Sequence, residues 1–448
     1  MKRRGLTFFF ACFMVLFAVV ASGQDYVGTL NDAPYKIRVP AGWNGTLLMY
    51  AHGYGYLERW NPLTQFDYSY ADAAPGMPFP LGDGSIIFME DVLLSQGYAL
   101  AGTVFSGTGW QVKEGTHELV SLAGLFNGLV GKPKRTILIG YSMGSLIALK
   151  SAEEAPIYDG VIAGCTVGAG ISKSVDLIGA VALAYHTLFT WPESWGAWYD
   201  VRNDIKFFTD DPDGVFPVLI GQLMDPNNIP KFEFIRLLSG VPLENYYPNP
   251  ATNWPGFVSL SMFLATEARA DIEARAKGPV TQNADHVYTL STEDRNYLST
   301  YMSFTDGQID AHLSAMNSQT TVTIGLPQKQ YLQKYFDPSG EIRRPLLSIH
   351  ANKDGLVGNY HESVLRETVK CAHNESLLLQ VFTEGAGHCT FTPGQLLQAV
   401  KAMEFWLEYG TKPGSDFFPA DLGFIADFTP GDWPIGQKNP APLCSGAE

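Results

Sequence analysis

Over its first 170 residues the chain alternates short apolar runs with patterns of helical spacing. Thr46–Ala51 is a continuous apolar run, the mark of a strand buried on both faces of a parallel sheet. Tyr98–Phe105, Thr136–Ile139 and Gly160–Thr166 repeat that mark, and Tyr35–Val39 reads as a short strand before them. Between them Ile86–Gln96, stopped by Gly97, and Glu118–Val130, stopped by Gly131-Lys132-Pro133, have apolar positions at helical spacing. A further helix runs from Gly140 to about Glu154. This β-α-β-α-β order predicts an α/β fold, a mostly parallel sheet with helices on both faces. Residues 55–84, rich in Pro, Gly, Tyr and Asp, read as a long loop.

The alternation then stops. Val175–Phe189, Phe232–Leu238 and Pro255–Lys277 are helical patterns, so residues 171–340 are expected to form a helical cap inserted over one end of the sheet. Strand patterns return at Leu346–His350 and Leu377–Phe382, and Gln395–Tyr409 closes the chain as an amphipathic helix. The expected division is a core in two parts, 24–170 and 341–448, the second with a tail after Gly410 that wraps the surface.

The first 23 residues change the compartment. Lys2, Arg3 and Arg4 precede the apolar stretch Leu6–Val20, and Ala21-Ser22-Gly23 stands before Gln24. This is the layout of a cleaved export signal. The expected location is therefore secreted or periplasmic, with no stable membrane anchor after cleavage. Of 448 residues, 46% are hydrophobic, enough for a large core. Lys and Arg number 30 against 45 Asp and Glu, a net charge of −15. Cleavage would take three positive charges and no negative ones, leaving −18. That charge argues against nucleic acid as a partner. No Cys-x-x-Cys or Cys/His cluster has zinc spacing, so no metal is expected.

Gly140-Tyr141-Ser142-Met143-Gly144 follows a strand and opens a helix, the setting of a nucleophile elbow. The glycines allow a sharp turn that lifts Ser142 Oγ out of the sheet. A serine needs a base, and the base an orienting acid. Asp354 stands in the loop after Leu346–His350, and His388 in the Gly-flanked loop after Leu377–Phe382. Glu384 is the alternative acid, and His373 or His361 the alternative base, both sitting where surface helix residues are expected. The backbone N–H groups of Met143 and Tyr54 are the expected oxyanion donors. His52, before that second donor, is expected to hold structure by hydrogen bonding.

His52-Gly53-Tyr54-Gly55, the Ser142 elbow and the Asp354 and His388 loops together resemble an α/β-hydrolase-fold serine hydrolase. Within that fold, Gly387-His388-Cys389-Thr390-Phe391 resembles a secreted bacterial group with a Gly-His-Cys-x-Phe histidine loop. The His-Cys pair is also similar to tannases and feruloyl esterases, but those place Cys beside the nucleophile, where Tyr141 stands here. The resemblance implies ester, thioester or amide hydrolysis without a cofactor. The leading expectation is a small-molecule or polymer ester cleaved through an acyl-enzyme. An amidase or peptidase with the same triad, and a non-catalytic binding module, are the alternatives. Trp110, in a loop after a core strand, and Trp195, in a Trp191/Trp195/Trp198 series at helical spacing, are candidate pocket walls; the cap's own core is the other reading of that series. Four cysteines follow the signal: Cys165, Cys371, Cys389 and Cys444. A Cys371–Cys389 disulfide is expected, since one strand between them could carry the chain out and back; Cys389 with Cys165 or Cys444 is the rival.

Overall fold

Thr46–Ala51, Ala99–Thr103 and Gly160–Gly164 are buried at every position. Such strands belong inside a sheet covered on both faces. A computed structural model describes residues 23–55, 79–80, 86–87, 89–201, 204–242 and 261–438. Nearly all of the expected export signal, Cys444, most of the expected 55–84 loop and the start of the Pro255–Lys277 pattern lie outside the described residues.

The main sheet has nine strands among the described residues: β1 (Gln24–Leu30), β2 (Ala33–Val39), β3 (Thr46–Ala51), β4 (Ala99–Thr103), β5 (Arg135–Tyr141), β6 (Gly160–Gly164), β7 (Leu346–Lys353), β8 (Leu378–Ala386) and β9 (Phe424–Ile425). Across the sheet they run β1-β2-β4-β3-β5-β6-β7-β8-β9. The six strands from β4 to β8 are parallel. β2 is antiparallel to both neighbours, and β9 is antiparallel to β8. Helices α1 (Met89–Ser95), α2 (Val112–Leu129) and α3 (Met143–Glu154) connect the first half. The chain steps one way from β3 to β4 and back across to β5. The loops leaving β3 and β5 therefore diverge and open a crevice at their C-terminal ends. With a strand–turn–helix at Ser142, this is the α/β-hydrolase fold.

Between β6 and β7 lie α4 (Gly170–Phe189), α5 (Val215–Leu223), α6 (Ile229–Leu238), α7 (Arg269–Ala276), α8 (Thr292–Tyr301), α9 (Asp306–Asn317) and α10 (Leu326–Tyr335). Most of this segment packs on an apolar core of its own, which includes Tyr185, Trp195, Phe232, Leu298 and Met316. After β7 come α11 (Tyr360–Cys371) and, beyond β8, α12 (Pro393–Tyr409). A capping box of Thr392 and Gln395 starts α12, and Gly410 in the left-handed region ends it. Among the described residues no helix is long and apolar enough to cross a membrane.

Several elements differ from their sequence patterns. β1 forms an edge hairpin with β2 and turns only partly buried positions, Tyr26 and Leu30 among them, to the core, so its sequence pattern is faint. α2 begins six residues before the expected Glu118, through Gly115. A Cβ there would crowd Ile147 and Phe105, so the glycine lets the helix lie close on α3 and the sheet. Ile86–Ile87 pairs with Phe79–Pro80 instead of opening α1. The tail adds β9 to the sheet rather than only covering it.

Candidate active site

The turn between β5 and α3 is tight enough to require both glycines. A Cβ on Gly140 would overlap the Gly144 carbonyl, and one on Gly144 would overlap the Ala51 carbonyl of β3. Ser142 sits between them at φ 55°, ψ −122°. A non-glycine residue there costs about 1–3 kcal/mol and persists only where its surroundings enforce it. Here Ser142 N–H donates to the Gly164 carbonyl at 3.1 Å. Ser145 Oγ donates to the Ser142 carbonyl at 2.5 Å and accepts the Val167 N–H at 2.9 Å. Met143 is the first residue of α3, so its N–H has no carbonyl within the helix to bond. Gly53 lies against the nucleophile: a Cβ on it would stand 3.4 Å from Ser142 Cβ.

Asp354 and His388 meet at the C-terminal edge of β7 and β8. His388 Nδ1 lies 2.8 Å from Asp354 Oδ2 and 3.1 Å from Oδ1. Asp354 Oδ1 also accepts the Leu356 and Val357 N–H groups, each at 2.9 Å, which fixes the carboxylate as a turn residue and a histidine partner at once. Full burial would raise this carboxyl, but the His388 and His350 rings and the Val357 N–H outweigh it and hold Asp354 below its ordinary value. His388 Nε2 is buried and has no hydrogen-bond partner among the described residues. His388 and Ser142 line one cavity.

Behind Asp354 stands a residue that sequence reading passed over. His350 is fully buried on β7. Its Nδ1 is 3.0 Å from Glu362 Oε1 and its Nε2 is 2.8 Å from the Val357 carbonyl. The Thr166 N–H also approaches Nδ1, at 3.2 Å, so a second ring proton must compete with that donor for the same nitrogen. Burial lowers its affinity for that proton, yet the Glu362 contacts and Asp354 raise it above the ordinary histidine value. Glu362 is otherwise satisfied by Ser348 Oγ and Gln380 Nε2. One sign was available: Ser348 and His350, two residues apart on a buried strand, share a face. The stability this ring contributes is full below the unfolded value near 6.5 and is lost as pH rises through the raised folded value. Urea unfolding of His350→Gln against the parent from pH 5.5 to 9.5 is therefore expected to show the largest gap at the acid end, narrowing upward. A gap that widens with pH would contradict the raised value.

The cavity has a volume of about 280 Å³. Tyr54 and Trp110 line it, with Phe263 and aliphatic side chains of α4 and α7. The Tyr54 ring meets Trp110 and Phe263 at 5.2 and 5.7 Å. Trp110 bridges to the inserted segment: its N–H donates to Asp271 Oδ2 at 2.8 Å and its Nε1 to the Ala268 carbonyl at 3.0 Å. His52 borders the same cavity, stacked on Phe105 with Nδ1 2.6 Å from the Gly53 carbonyl; burial lowers its affinity for a proton. His361 also lines the cavity and is buried, not a surface helix residue as its pattern suggested. Glu384 is exposed, and neither it nor His373 lines the cavity.

Trp195 is not part of this wall. Pro192 and Gly196 confine it to a single turn, Glu193–Trp195, so the helical spacing of Trp191, Trp195 and Trp198 forms no helix face. Trp195 stacks on Tyr185 at 5.9 Å, donates from Nε1 to the Asp213 carbonyl and is 2% exposed, inside the core of the inserted segment. Trp195→Ala is expected to cost about 3–5 kcal/mol of stability without changing relative rates among esters. Trp110→Ala is expected to change those relative rates. Melting curves and kcat/KM across an acyl-length series check both.

The expected Cys371–Cys389 disulfide is replaced by Cys165–Cys389, with Cα atoms 5.1 Å apart. Cys371 is disulfide-bonded too, so it is not a free thiol. The reason is geometric. The nine residues of β8 separate the end of α11 from the His388 loop, roughly 30 Å of extended chain in one direction. β6, β7 and β8 are parallel, so their C-terminal ends share an edge, and Cys165 follows β6 there. His388, Cys165 and Cys389 cluster closely, but both sulfurs are bonded to each other and offer no thiolate to a metal.

No family model matches the chain, and no curated protein matches it. Among solved structures, an esterase from Pyrococcus furiosus is 13% identical, covering 87% of this chain and 91% of that one, with a TM-score of 0.39. A thermostable carboxyl esterase from Bacillus coagulans is 13% identical, covering 87% and 97%, with a TM-score of 0.37. An acylaminoacyl peptidase from Pyrococcus horikoshii is 8% identical at a TM-score of 0.39, and the 89% of this chain that aligns spans only 44% of that one.

Proposed function

We propose that the chain is an exported serine hydrolase that cleaves carboxylic esters through an acyl-enzyme. One observation carries the reading: the buried Asp354–His388 pair leaves His388 Nε2 unpartnered, and that ring borders the same apolar cavity as Ser142 on its strained turn. In this reading Ser142 Oγ attacks the ester carbonyl carbon while His388 Nε2 takes its proton. Met143 and Tyr54 N–H groups receive the oxyanion. Collapse expels the alkoxide, which takes the proton from His388. Water, deprotonated by the same nitrogen, then releases the acid. Asp354, kept ionised by its neighbours, holds the imidazole with its proton on Nδ1. The apolar cavity favours uncharged ester substrates, whether small molecules or chain ends of a polymer. The signal-like first 23 residues, the Cys165–Cys389 bond and the Gly-His-Cys-x-Phe loop support an oxidising compartment outside the cytoplasm.

A fluorophosphonate probe followed by peptide mass spectrometry tests the nucleophile. A stoichiometric adduct on the Ser142 peptide is expected, and an unlabelled folded protein would refute the reading. Comparing p-nitrophenyl esters with the matching p-nitroanilides separates esterase from amidase, with the esters expected to be cleaved faster.

A further inference from the structure

Helix α11 brings two adjacent polar residues into the site, turned to different tasks. Glu362 pairs with His350 under the sheet edge. His361 borders the cavity and is 3% exposed. The Ala169 N–H donates to His361 Nδ1 at 3.2 Å, so Nδ1 presents its lone pair and the proton resides on Nε2. Nε2 has no hydrogen-bond partner among the described residues. Tyr360 stacks beside the ring at 5.4 Å and Trp433 meets it edge-on at 5.2 Å, which fixes its plane. Burial, with a smaller contribution from the neighbouring His350, pushes its pKa down to about 3, so it stays neutral wherever the enzyme would work. A largely apolar cavity, which the Arg269 guanidinium also borders, thus carries a rigid, uncharged N–H donor near the Asp354–His388 pair. A neutral histidine of this kind can bind or polarise a substrate oxygen without exchanging its proton.

We infer that His361 is a specificity residue, its Nε2–H recognising an acceptor oxygen (hydroxyl, ether or ketone) within a largely apolar substrate ester. The inference rests on the serine-hydrolase reading above. It predicts that the site favours oxygen-bearing chains over hydrocarbon chains of the same shape. A hydrocarbon leaves the buried donor unmatched, a difference of about tenfold in kcat/KM.

The test uses two isosteric pairs: p-nitrophenyl butanoate with p-nitrophenyl methoxyacetate, and butyl acetate with 2-methoxyethyl acetate. The ratio of kcat/KM, oxygenated over hydrocarbon, is compared among the parent, His361→Phe, His361→Leu and His361→Gln, which cancels the intrinsic reactivity of each ester. Phe retains the ring contacts with Tyr360 and Trp433, and Leu serves if Phe does not fold. In the folded apolar variant the ratio is expected to fall about tenfold for at least one pair. Gln, which can accept the Ala169 N–H and still donate, is expected to restore most of it. Unchanged ratios for both pairs overturn the inference. Fluorophosphonate titration runs alongside. Equal labelling of parent and variants with flat ratios removes only the role of His361, whereas an unlabelled parent removes the nucleophile and this inference with it.

Discussion

Ser142→Ala is expected to lower ester turnover by on the order of 10⁴-fold or more while the protein stays folded, and His388→Ala to do nearly the same. The two losses should not add, because nucleophile and base act as one unit. The physical basis is the unpartnered Nε2 of His388, which is left to take the Ser142 proton during acylation. His373→Ala should leave turnover near the parent value, since that ring does not line the cavity. A companion effect follows from the backbone. Ser142 holds φ 55°, so Ser142→Gly should be inactive yet more stable by about 1 kcal/mol, the strain being released. Turnover of p-nitrophenyl esters and thermal melts check the set. Near-parent activity in Ser142→Ala would end the acyl-enzyme mechanism.

Loss of the Cys165–Cys389 bond is the second large effect. The closed loop spans 224 residues of separation, and the chain-entropy model assigns such a closure about 5 kcal/mol. Cys165→Ala with Cys389→Ala should therefore lower the melting temperature sharply. Activity should fall further than the fraction unfolded explains, because Cys389 is the residue after His388. A displacement of about 1 Å in a catalytic group can cost about a hundredfold in rate. Cys371, at the far end of β8, should affect stability without that additional loss. Rates measured well below the melting transition, in parent, double variant and Cys371→Ala, distinguish these outcomes. A double variant that loses stability alone would show that the tether serves folding and not the histidine.

Much of this site could be read along the chain because its elements are local. A buried parallel strand is mostly apolar, and a strand–turn–helix as sharp as the Ser142 elbow must have glycine at 140 and 144, so both leave a mark within a few residues. The Asp354 and His388 loops follow directly from strand ends, and the sheet's parallel order brings those ends to one edge. What the tertiary structure alone decided depends on distance in sequence. Cys389 is 224 residues from Cys165 yet shares that edge, while Cys371, only one strand away, is carried to the opposite end by the length of β8. The spacing of Trp191, Trp195 and Trp198 suggested a helix face, but Pro192 and Gly196 break it, and the inserted segment takes Trp195 into its own core. Glu362 and His361 carry no local signature, and His350 carries only its place two residues from Ser348 on a buried strand. Their roles arise where β7 and α11 pack together, a juxtaposition that fixes which nitrogen holds a proton and which residue meets the cavity.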